Sequence, residues 1–160
     1  MKILTSVMIL VASISASWAA DETKLTFDTY SGYFVSNKFE PDADASFVVI
    51  KDQAEFDEVF GVAMVMDDKS HRLPEEPFKS HMVVAAIKRG KANCEYKVES
   101  VTVEKGVIRL QYSVTSESTP ETTFACPLIV SVPKGDYKAV VFVEDGKQVK
   151  KVKMGGKKKD

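Results

Sequence analysis

Residues 93–114, NCEYKVESVTVEKGVIRLQYSV, decide the fold. Cys94, Tyr96 and Val98 alternate with Glu95, Lys97 and Glu99, and Ile108, Leu110, Tyr112 and Val114 alternate with Arg109, Gln111 and Ser113. That period of two belongs to half-buried strands. Lys105-Gly106 lies between them as a tight turn, where glycine takes a positive φ without a Cβ clash. If Val103 faces Ile108 and Val101 faces Leu110, then Val98 must face Tyr112, so three steps on one strand oppose two on the other. One residue is left over. The spacing therefore predicts a β-bulge at Glu99-Ser100, which keeps Tyr96, Val98, Val101 and Val103 on one buried face.

Working outward, Phe124, Cys126, Leu128, Val130 and Val132 share one parity, so Cys126 points inward with that strand's large apolar side chains. Cys94 does the same on its own strand. They are the only two cysteines in the chain, and their placement predicts a disulfide between Cys94 and Cys126, two buried free thiols being the alternative. Such a link would stabilise the fold by about 3 to 4 kcal/mol in the chain-entropy account. A Cys-x-x-Cys motif is absent, so a catalytic dithiol is not expected.

The chain opens with Lys2, an apolar run over residues 3–14 and Ser17-Trp18-Ala19. This is the layout of a secretory signal, with a positive end, a short apolar core and small residues at the cleavage site. We expect residues 1–19 to be removed, residues 20–153 to form a single domain and residues 154–160 to be a basic disordered tail. The protein is then periplasmic or secreted. No second long apolar run follows, so no transmembrane segment is expected after cleavage. Residues 20–146 carry 14 Lys and Arg against 22 Asp and Glu, a balance of −8, whereas residues 147–160 carry seven Lys against one Asp, a balance of +6. An acidic body with a basic end argues against nucleic acid as a partner, because phosphate neutralisation needs a basic face on the fold itself.

Leu25, Phe27, Tyr30, Tyr33 and Phe34 around Ser31-Gly32 read as a first strand and turn whose aromatics pack at the core edge. The acids of Glu40-Pro41-Asp42-Ala43-Asp44 invite a calcium reading, but the turn glycine of a calcium loop is missing. Residues 46–50 form an apolar strand. Asp52-Gln53-Ala54-Glu55 opens a helix in capping-box form, with Phe56, Val59 and Phe60 on one face and Gly61 placed to end it. Residues 67–80 are a long polar loop with two prolines, and long loops are disproportionately functional or mobile. Within it His71 lies beside Asp67 and Ser70, and His81 follows at the mouth of the next strand. These are the only histidines, and their spacing matches no metal-ligand pattern. Residues 82–87 and 139–143 are apolar on both faces, as in central strands covered by another layer, for which the short helix is the candidate. Pro127 implies an edge or an irregular strand start. Asp145-Gly146 signals a closing hairpin to a strand near residues 149–152.

This order of elements resembles the C-terminal domain of the PrcB protease-complex subunit family over about residues 47–143. The likeness rests on Ser46-Phe47-Val48-Val49-Ile50, the helix with Phe56, Pro77-Phe78, residues 82–87, Arg89-Gly90-Lys91 before Tyr96-Lys97-Val98, Pro127-Leu128-Ile129-Val130 and Val132-Pro133-Lys134. Where that family carries Gly-Gly-Tyr, this chain has Asn93-Cys94-Glu95-Tyr96, and Cys126 stands before the proline. The resemblance implies an exported, non-catalytic accessory domain and carries over no functional residue.

Together these readings predict an α+β domain: an antiparallel or mixed twisted sheet, sandwich-like or half-barrel, with one short helix and one disulfide. The expected function is a non-enzymatic interaction module for another exported or envelope protein, a protease among the options, with no cofactor, no metal and no catalytic residues. One alternative is a small hydrolase or metal-dependent enzyme using His71 and His81. Another is attachment to anionic envelope polymers through the Lys-rich C-terminus.

Overall fold

In chain order the elements are β1 (Thr23–Lys24), β2 (Asp28–Tyr30), β3 (Tyr33–Val35), β4 (Ala45–Ile50), α1 (Gln53–Val59), β5 (Phe60–Val62), β6 (His81–Gly90), β7 (Ala92–Glu104), β8 (Val107–Ser118), β9 (Phe124–Pro133), β10 (Ala139–Glu144) and β11 (Lys147–Lys153). They come from a computed structural model that describes residues 22–63 and 71–155. The expected signal segment, Asp67, Ser70 and residues 156–160 lie outside the described residues.

Two larger sheets are built, in the orders β1-β7-β8-β10-β11 and β2-β9-β6-β4, with β3 and β5 as a separate pair. The first is mixed, because β10 runs parallel to β8 while its other pairings are antiparallel. The second is antiparallel throughout. Strand makes up 59% of the described residues, and no closed barrel forms among them. With one helix of seven residues, the fold is therefore mostly β, and the helical share is smaller than an α+β reading implies.

The deciding hairpin adopts the predicted register. Val103 pairs with Ile108, Val101 with Leu110 and Val98 with Tyr112, and the register shifts between Val98 and Ser100. Lys105 and Gly106 both take positive φ, 50° and 78°, the backbone of a two-residue turn matched to strand twist. Asp145 and Gly146 repeat this at 48° and 78°.

The inward faces of the two sheets share one core. Met82, Val84 and Ala86 of β6 and Leu128, Val130 and Val132 of β9 meet Val101, Ile108, Leu110, Tyr112, Val140 and Phe142 of the other sheet. The alternate residues of β6, Val83, Ala85 and Ile87, form a second core with Phe56, Val59 and Phe60. So α1 covers the outer face of β6, as a strand apolar on both sides requires. It does not cover β10. There the outward Val141 is flanked in register by Arg109 and Lys151, and Val143 by Gln111 and Gln148, long side chains whose stems can shelter apolar surface.

Asp52 caps α1, accepting from the Glu55 N–H at 2.9 Å, while the Glu55 carboxylate accepts from the Lys51 N–H at 2.9 Å. Gly61 does not end the helix. It lies inside β5 opposite Phe34, where an added Cβ would stand 2.3 Å from the Phe34 ring, so glycine is needed there for close approach and not for a turn.

The predicted disulfide does not form: the cysteines sit 4.1 Å apart, against an S–S bond of about 2.05 Å, and both are free thiols. The cause lies in strand geometry. Cys94 donates its backbone N–H to Cys126 Sγ at 3.2 Å, so the Cys126 sulfur faces the main chain of Cys94. The Cys94 Sγ stands beside Ser116 Oγ at 3.5 Å, across the hairpin.

Candidate functional site

The N-terminal chain changes sheets, and this creates the site. Thr23 and Lys24 pair with Val103 and Thr102, and the Leu25 N–H donates to the Val101 carbonyl at 2.9 Å. The chain then leaves β7 and crosses to β9, where Asp28, Thr29 and Tyr30 pair with Ser131, Val130 and Ile129. Each sheet is thereby covered over part of one edge. Among the described residues no strand pairs with residues 92–100 of β7 on the side away from β8, nor with residues 124–128 of β9 on the side away from β6. Pro127 sits in this uncovered part of β9, which accords with the edge position that its missing N–H predicts.

The orientation of the β7 edge follows from two contacts. The Cys94 N–H and the Val101 carbonyl both point away from β8. Strand alternation, with one step absorbed by the bulge, aims the N–H and C=O of Tyr96 and Val98 the same way.

This edge lines a cleft of about 540 Å3 between the two sheets. Cys94, Glu95, Tyr96 and Val98 form one wall, Pro127, Leu128 and Ile129 the other, and Phe27, Tyr30 and His71 close one end. Tyr96 ties the walls together where they meet, its hydroxyl donating to the Cys126 carbonyl at 3.0 Å. Burial, with smaller contributions from Cys94 and Cys126, raises the Tyr96 phenol well above its ordinary value. It remains a neutral donor through the physiological range. Burial also raises the Cys126 thiol, and the N–H from Cys94 works against that shift.

His71 reaches the cleft because its carbonyl accepts from the Gly32 N–H at 3.1 Å, and because the Leu73 N–H donates to the Tyr33 hydroxyl at 3.0 Å. The described part of the predicted polar loop is thus tied to the first aromatic turn. His81 is elsewhere: it opens β6 opposite Pro133, and its Nδ1 is 2.8 Å from Ser80 Oγ. The two histidines do not share the cleft, and among the described residues no group of three or more His, Cys, Asp or Glu converges on a metal position.

The acidic stretch at residues 40–44 has a structural attachment. Arg89 donates to the carbonyls of Phe39 and Ala43 at 2.9 and 3.2 Å and to Ser46 Oγ at 2.8 Å. The lysine-rich C-terminal region is an exposed edge strand as far as Lys153, and Met154 continues it, donating to the Lys138 carbonyl at 2.7 Å. Lysines there protect a sheet edge from accidental pairing. Deleting them would remove a strand along with the charge, so deletion cannot isolate a charge effect.

The cleft was not found from sequence. Its walls were legible as strands, but the crossing of the N-terminal chain between sheets leaves no local pattern. Among the described residues no helix is long and apolar enough to cross a membrane. No protein-family model, curated protein or solved structure matches the chain.

Proposed function

We propose that the protein is an exported, non-enzymatic interaction module that takes an extended segment of another exported or envelope protein onto the uncovered edge of β7. The observation that carries this reading is that, among the described residues, no strand pairs with residues 92–100 of β7 on the cleft side, where alternation aims the Tyr96 and Val98 backbone groups. Strand addition supplies affinity through main-chain hydrogen bonds and selectivity through pockets for alternate side chains. The cleft offers both, with Tyr96, Val98 and Leu128 as apolar surface and Glu95 as a charged contact. The two edges of this sheet also differ. β11 presents Lys147, Lys150, Lys151 and Lys153, whereas the open part of β7 has Lys97 between Glu95 and Glu99. The resemblance over residues 47–143 implies an accessory role, and His71 lines the cleft whereas His81 opens β6 opposite Pro133.

Val98→Pro is the direct test, because it deletes an edge-facing N–H while the ladder to β8 uses other groups. A partner recovered from the exported fraction with wild-type protein should be lost with this variant at unchanged fold. Hydrogen exchange should show the Tyr96 and Val98 amides slowing when that partner is added. Unchanged capture by Val98→Pro, or no slowing at these amides, would rule out the β7 edge.

A further inference from the structure

The two thiols constitute a second candidate site, beside the cleft that Cys94 lines. We propose that Cys94 and Cys126 together bind one soft, thiophilic monovalent cation of the copper(I) class. Their separation of 4.1 Å is too long for a covalent bond between sulfurs, yet it suits one shared metal atom. With metal–sulfur bonds of about 2.3 Å, a cation bridging that distance subtends an S–metal–S angle of about 125°. Such a bent pair serves a two-coordinate cation, or a three-coordinate one that takes its last ligand from outside.

The surroundings select the class of ion. Paired sulfur ligands favour soft cations. Among the described residues no third His, Cys, Asp or Glu joins them, so the closed tetrahedron of structural zinc and the oxygen cage of calcium are not built. The Cys94 N–H already donates to Cys126 Sγ at 3.2 Å, a contact that stabilises negative charge on a metal-bound sulfur. Supporting contacts of this kind orient and tune metal ligands. Tyr96 fixes the Cys126 carbonyl from the far side, and both cysteines sit on strands and not on loops, which holds their spacing.

Access is provided as well. Cys94 is half-buried and lines the cleft while Cys126 is buried, so an external thiolate delivers or removes the ion from the Cys94 side. Binding replaces two S–H bonds by two metal–sulfur bonds and releases both protons to solvent. No electron is transferred and no oxidant is needed.

The test uses the full exported chain, reduced and kept free of oxygen, titrated with copper(I) against a chromogenic copper(I) chelator. One equivalent should be retained, X-ray absorption should show two sulfur neighbours, and excess zinc should not displace it. Cys94→Ser should abolish retention, by more than the about 10- to 100-fold that losing a supporting residue costs. Cys94 is half-buried, so this variant is expected to fold, and circular dichroism checks it; Cys126→Ser provides the second arm. Retention unchanged in folded Cys94→Ser, displacement by zinc, or both thiols staying titratable with one equivalent of copper(I) present would each overturn the proposal.

Discussion

Glu144 joins the two sheets, and its replacement gives a quantitative test of the packing. Its carboxylate accepts from the Tyr112 hydroxyl at 3.2 Å through one oxygen and pairs with Lys88 of the facing sheet through the other. The two halves of this clamp differ in worth. Tyr112 is 0% exposed, so Glu144→Ala strands a buried hydroxyl, at about 1 to 3 kcal/mol. Lys88 has a side chain 35% exposed and regains water, so losing the ion pair adds no more than about 1 kcal/mol. Glu144→Ala should therefore cost about 1 to 4 kcal/mol, and most of it should vanish when the phenol is also removed. In a cycle of Glu144→Ala with Tyr112→Phe, followed by urea unfolding at neutral pH with an unchanged m-value, the coupling should be about 1 to 3 kcal/mol. The reasoning is refuted if the two losses add within about 0.3 kcal/mol, or if Lys88→Ala costs as much as Glu144→Ala.

Three other outcomes follow from the same coordinates. Phe56 is 2% exposed and meets the rings of Tyr33, Phe60 and Phe78 at 5.0, 5.0 and 5.9 Å, so Phe56→Ala should cost about 3 to 5 kcal/mol; a loss under about 1 kcal/mol by thermal unfolding would show that α1 is not anchored there. The phenols of Tyr96 and Tyr112 are raised above an ordinary 10.0, by burial first and then by neighbouring negative groups. Their contribution is thus complete below about pH 10 and declines as pH rises beyond it. Phenolate absorbance from these two should appear together with loss of near-ultraviolet dichroism, and titration inside an intact fold would contradict their burial. Arg89→Ala removes three acceptors' donor and should make residues 36–44 sensitive to limited proteolysis, at about 2 kcal/mol of stability. Arg89→Lys, lacking the forked geometry, should not restore protection, and equal cleavage of all three proteins would show that Arg89 does not hold the loop.

What could be read from sequence was local parity. The bulge at Glu99-Ser100 was readable because side-chain period is fixed at two, so a mismatch between Val98 and Tyr112 had one cheap solution. The Lys105-Gly106 and Asp145-Gly146 turns and the doubly buried β6 were readable for similar reasons. What escaped depended on distant partners. Gly61 has the same local signature whether it stops a helix or admits the Phe34 ring. The parallel pairing of β10 with β8 has no turn to announce it. The cysteines were placed correctly on inward-pointing positions, but parity says nothing about how closely two such side chains approach across the gap. The cleft exists because residues 25–28 change sheets, a choice made by packing and invisible to periodicity.

The route of the chain between the layers has a mechanical corollary. After β8 it lays down β9 in the opposite sheet and only then returns with β10 to sit beside β8. Each layer is thus stitched shut by a segment that has first visited the other. Neither half can be assembled in advance, so refolding should be slow for the chain's size and should show one kinetic phase. A fragment ending before residue 139 should gain no lasting structure by itself, and the cleft should melt together with the core.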